Sequence, residues 1–137
     1  MKKTLFTLVA MLFIWSAKAQ NDTIKRRDAD TLVYSTVEYP PQFHGGTKEF
    51  YHFLAKTLRY PATAREHNTQ GRVVISMIVE KDGTLTHIKV SHSVSYDLDG
   101  EALRVMKLCP KWDPGTQKGY KVRVYNAVPL TFSLSNE

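Results

Sequence analysis

A single cysteine, Cys109, stands in a chain of 137 residues, so no internal disulfide can staple it and the fold must rest on packing. Hydrophobic residues make up 42% of the chain, enough for one domain with one core. Cys109 follows Leu98, Ala102, Val105 and Met106 at helical spacing, which predicts a core thiol rather than a reactive one. Metal-ligand patterns are missing too. His44, His52, His67, His87 and His92 form no H-x-x-x-H or H-E-x-x-H pair and no cysteine-paired set, which argues against a dedicated metal site. There is no G-x-S-x-G elbow, the strand-to-helix turn that exposes a hydrolase nucleophile. Gly45-Gly46-Thr47-Lys48 lacks the four-residue gap of a phosphate loop and reads as a turn into a helix. No enzyme activity, cofactor or small-molecule substrate is expected.

Long hydrophobic runs are also scarce. Residues 4–17 carry no charge, but that stretch is shorter than the roughly 20 residues a membrane helix needs. Lys2 and Lys3 precede it, and Ala17-Lys18-Ala19 offers the small-x-small pattern of signal peptidase. The expectation is a cleaved signal over residues 1–19, export to the periplasm and a new start at Gln20. Only an uncleaved signal would leave the protein membrane-associated. Against 19 Lys+Arg stand 13 Asp+Glu, and without Lys2, Lys3 and Lys18 the formal charge falls from +6 to +3. So mild a balance is not that of a nucleic-acid binder.

Residues 20–37 are polar and aperiodic apart from Thr31-Leu32-Val33-Tyr34, and read as a loose arm that adds at most one edge strand. The domain proper is placed at 38–137. Phe50, Phe53, Leu54 and Leu58 recur at helical steps, with Gly46 or Thr47 as cap. Pro61 suits the start of a second, short helix through His67. Residues 72–80 form a strand with Val73, Ile75, Met77 and Val79 on one face. Asp82-Gly83 signals a two-residue hairpin into a second strand over 84–91, with Ile88 and Val90 inward. Asp97 is the expected cap of a third helix, and Pro110 stops it.

The last strand is the most regular segment. From Lys121 to Leu134, Val122, Val124, Asn126, Val128, Leu130, Phe132 and Leu134 share one face, with a single polar interruption. Pro129 has no N–H for a ladder, so it belongs on an edge strand or at a bulge. A long terminal strand with a free edge is a place where another strand can add. The fold class predicted is α+β, a three-stranded antiparallel sheet with helices on one face and a long C-terminal edge strand. A second proline at Val124 or Asn126 is expected to impair pairing or folding of that strand.

Several short motifs then fall in a known order. Tyr60-Pro61 with Ala64, Gly71-x-Val73, Asp82-Gly83, Leu98-Asp99 with Ala102, Pro110-x-Trp112-x-Pro114-Gly115 and Val128-Pro129-Leu130-x-Phe132 together resemble the C-terminal domain of the TonB family. The upstream Pro41-x-Phe43-x-Gly45-Gly46 is similar to the lead-in of Bacteroidetes-type members. Each matched residue has an ordinary structural role: a helix start, a hairpin turn, or, for Trp112, an apolar anchor under a Pro-Gly turn.

The resemblance implies a protein-binding activity in TonB-dependent transport. A TonB-box peptide of an outer-membrane receptor would pair as an added strand with the last strand of the domain, main-chain hydrogen bonds supplying affinity. The matching edge comprises Lys121, Val122, Arg123, Val124, Tyr125, Asn126, Ala127 and Val128. A secondary contact maps onto Thr57, Leu58, Arg59 and Tyr60, where well-studied members carry a Gln-Pro pair that this sequence lacks. Energy-transducing members also have an anchor helix and a long Pro-rich spacer, so the expectation is a free periplasmic binding domain. The alternative is a cell-envelope module that binds peptidoglycan or self-associates, a homodimer through the open edge included.

Overall fold

The computed structural model describes residues 31–135. The expected signal over 1–19 and the first part of the arm lie outside the described residues. Among those described, no helix is long and apolar enough to cross a membrane.

The sheet is built around β2 (Gly71–Val79), which pairs antiparallel with both β3 (Leu85–His92) and β6 (Arg123–Phe132). Its apolar residues alternate, so Val73, Ile75, Met77 and Val79 all face the core and are essentially inaccessible. β6 answers with Val124, Val128, Leu130 and Phe132 on the same side. Over this face lie α1 (Thr47–Thr57), α2 (Ala62–Glu66) and α3 (Tyr96–Lys107). The α3 stripe Leu98, Ala102, Val105 and Met106 is fully buried, and each of its large members contributes about 1.5–3 kcal/mol by leaving water. The other face is partly covered: Ile78 is buried there, and Val74 and Ser76 are half-buried.

Four departures from the sequence reading have physical causes. The sheet has four strands, not three, because the arm supplies β1 (Val33–Tyr34), which pairs parallel with the start of β6; the order is β1-β6-β2-β3. The β2–β3 connection is a three-residue form rather than a two-residue one: the Gly83 N–H donates to the Glu80 carbonyl and the Glu80 N–H to that of Thr84, with Gly83 at φ 88°. The cap of α3 is Ser95, whose hydroxyl accepts from the Leu98 N–H. Asp97 lies one step inside, where its carboxylate accepts from the Thr63 hydroxyl at 2.5 Å. Finally, the last strand begins at Arg123. Upstream, β4 (Thr116–Gln117) and β5 (Tyr120–Lys121) form a hairpin of their own. Its loop residues Lys118 and Gly119 both take positive φ, 50° and 79°, the geometry of a type I′ turn.

Candidate functional site

Backbone groups of a strand point alternately to its two neighbours, and the register of β6 with β2 runs without a shift from Gly71↔Phe132 to Val79↔Val124. Pro129 sits opposite Val74. Lacking an N–H, it fits only a position whose backbone faces away from β2. By alternation, Arg123, Tyr125, Ala127 and Thr131 also turn their N–H and C=O outward. Val124, Asn126, Val128 and Leu130 feed the ladder to β2. Among the described residues, a strand covers the outer side of β6 only at Arg123 and Val124, where β1 lies. From Tyr125 to Phe132 no described strand pairs with that side.

Of the eight residues expected on the binding edge, six lie in β6. Lys121 is exposed and pairs with Thr116 in the small hairpin. The Val122 N–H donates to the Gly115 carbonyl at 3.0 Å. Arg123 and Val124 are covered by β1. Tyr125 and Ala127 are exposed with outward backbones, and Tyr125 is 57% accessible. Asn126 is half-buried opposite Met77, and Val128 is buried. Among the described residues, the part of the expected edge that no other strand covers therefore lies toward its C-terminal end.

The second expected segment lies elsewhere. Thr57 ends α1, and its carbonyl accepts from Arg104 Nη2 at 2.7 Å, while the Arg59 N–H donates to Glu101 Oε1 at 2.8 Å. Burial pushes the Glu101 carboxyl up, but Arg104 and the Arg59 N–H outweigh it and leave the group below its usual range. Those main-chain groups are thus engaged by α3. Tyr60 packs edge-on against Phe132 at 5.7 Å, donates its hydroxyl to the Thr69 carbonyl and lies under Arg65. It stands at the far end of β6 from Val124, about 27 Å along the strand. The structure does not bring the two segments together: residues 57–60 are bound to α3 and pack at the Phe132 end of β6, and the expected edge lies at the other end.

Two clefts flank that edge. On the core side, a cleft of about 230 Å³ is lined by Pro41, Phe43, Phe50, Tyr51, Trp112 and Pro129 among others. Trp112 makes edge contacts with Phe43 and Phe50 at 6.0 and 5.6 Å. Phe43 and Trp112 belong to the family motifs, where the sequence suggests only structural roles, and their adjacency to Pro129 is a product of the fold. On the opposite face, Ser76, Ile78, His87, Lys89, Arg123 and Tyr125 line a second, of about 250 Å³. Cys109 is partly buried, and burial pushes its thiol up to about 11. It is protonated at neutral pH and a poor nucleophile. Among the described residues there is no cluster of three or more metal-ligating side chains.

The start of β6 is fixed by charge. Arg123 donates to Glu80 through Nε at 2.7 Å and Nη2 at 3.0 Å, and Glu80 also accepts from the Thr86 hydroxyl at 2.6 Å. Arg123 first, and then Thr86, hold the Glu80 carboxyl below its usual range against the opposing effect of burial. A depressed folded-state pKa gives stability that is complete above the unfolded value and lost as pH falls through the folded one. Glu80→Gln is therefore expected to lower stability by about 1–2 kcal/mol at pH 7. The gap from wild type should close as pH drops below the ordinary carboxylate range. Urea unfolding at pH 7 and pH 3 checks this, and an equal gap at both would contradict it.

Comparison with known proteins gives a consistent picture. A family described as Gram-negative bacterial TonB protein C-terminal matches residues 56–134. A solution structure of Helicobacter pylori TonB-CTD is similar at 24% identity, covering 66% of this chain and 81% of that one with a TM-score of 0.50. A shorter form of the same protein is similar at 25% identity, 66% and 95% coverage and a TM-score of 0.50. No curated protein matches this chain.

Proposed function

The chain belongs to the TonB C-terminal family, and from that premise we propose that it is a periplasmic binding module that pairs the outer edge of β6 with a TonB-box-type peptide of an outer-membrane receptor. The family ties it to TonB-related transport and to a non-catalytic, protein-contacting role. The observation that carries the finer reading is the open main-chain run from Tyr125 to Phe132. An extended peptide there would make ladder bonds at Tyr125, Ala127 and Thr131, with a gap at Pro129. Its alternate side chains would reach the Trp112 cleft on one face and the Tyr125 cleft on the other. Export and cleavage after Ala19 would place the domain free in the periplasm.

So short a ladder supports a transient complex, with a Kd on the order of 1–100 µM. Titration calorimetry of the exported chain with a receptor TonB-box peptide tests it, read together with amide resonances. Heat of binding and shifts at Tyr125, Ala127 and Thr131 are expected. Absence of heat, with those amides unmoved, would sink the reading.

A further inference from the structure

The strand β1 lies on the same row of outward amides that a partner needs. Pro129 interrupts that row, so its longest unbroken stretch is Arg123, Tyr125 and Ala127. Val33 pairs with Arg123 and Tyr34 with Val124, which puts β1 over the first member. From there the chain turns off the edge. Tyr39 is bound to Thr116 by two main-chain hydrogen bonds at 3.2 and 2.9 Å, and Gln42 to Asp113 at 3.1 and 2.8 Å. Residues 35–38 connect β1 to the first of these attachments, at Tyr39.

We propose that β1 is a resident occupant of the partner edge, displaced when a peptide strand pairs along β6 from Arg123 to Ala127. This rests on the peptide-binding reading above. Three features support displacement. β1 is two residues long and only half-buried, whereas β2 and β6 pair over nine positions. An incoming strand replaces the bonds that β1 makes and adds those at Tyr125 and Ala127. Release also has a natural limit, because the paired Tyr39 and Gln42 hold the chain to the domain. Val33 lines the cleft beside Tyr125, so its departure opens room for a side chain of the partner.

Such an arm lowers apparent affinity by the fraction of molecules in which the edge is free. With about two modest hydrogen bonds to give up, the penalty is about tenfold. The test uses the full exported chain and its Val33→Pro/Tyr34→Pro variant, both titrated with a synthetic TonB-box peptide. The variant is expected to bind about tenfold tighter. Its Arg123 amide should exchange faster than in wild type without peptide and be protected again with it. The milder Val33→Gly/Tyr34→Gly variant should move in the same direction, which guards against a folding defect of the prolines. Equal or weaker binding by both variants overturns the competition while leaving peptide binding intact. No binding by any of the chains overturns the peptide reading and the competition with it.

Discussion

Gly83→Ala is expected to destabilise the protein by about 3 kcal/mol and lower its Tm by more than about 10 °C. Gly83 stands at φ 88°, where an L side chain costs roughly 1–2 kcal/mol. The larger difficulty is space. A Cβ at this position would lie 2.0 Å from the backbone oxygen of Trp112, and backbone cannot rotate away as a side-chain tip can. The same pair of residues is joined by the Trp112 N–H donating to the Gly83 carbonyl at 2.8 Å. Relieving the clash therefore means pulling the β2–β3 turn off the segment that carries Trp112, and overpacking of this kind costs about 1–3 kcal/mol. Thermal unfolding measures the loss. A variant as stable as wild type would show that the contact between turn and Trp112 segment is soft.

A pair of proline substitutions on β6 should separate binding from folding. Ala127→Pro removes an N–H that faces away from β2, at a position equivalent in parity to the native Pro129. It is expected to fold, to lose at most about 1 kcal/mol, and to bind a TonB-box peptide at least tenfold more weakly. Asn126→Pro removes an N–H directed at β2 and should cost about 3 kcal/mol or more, whatever the peptide does. The sequence alone suggested Val124 or Asn126 as the positions to substitute. The register moves the binding control to Ala127, because only the Pro129 parity distinguishes the two edges of the strand. Full peptide affinity in a folded Ala127→Pro protein would remove the β6 edge from the mechanism.

Much of the architecture was legible in sequence because burial imposes a period. Leu98, Ala102, Val105 and Met106 mark the inward stripe of α3, and the alternation from Val122 to Phe132 marks a strand with one buried face. Where local signals compete, they decide less. Ser95, Asp97 and Asp99 could each cap α3. The geometry selects Ser95, while Asp99 accepts from the Val94 N–H and the Ser93 hydroxyl. The β4–β5 hairpin was missed because Lys118 in a left-handed conformation replaces the usual Asn or Asp before glycine. For β1 the Thr31-Leu32-Val33-Tyr34 patch marked an edge strand in the arm, but its parallel pairing depends on β6, roughly ninety positions away in the chain. The sequence marks the last strand as the candidate edge, but which part of that edge another described strand covers is a tertiary fact.

The unequal lengths of the two ladders on β6 have a mechanical consequence. On the proposed pairing, an added peptide would lie alongside β6, so a pull on its end along the strand would load their hydrogen bonds in shear, nearly together rather than one by one. On the inner side β6 is held by nine consecutive pairs with β2 and by the Arg123–Glu80 fork. On the outer side Pro129 divides the ladder and leaves only a few bonds to a guest. Under tension such a guest strand would let go first, and the domain that held it would remain folded. Coupling through such a joint would be self-limiting, with a yield point set by the position of one proline.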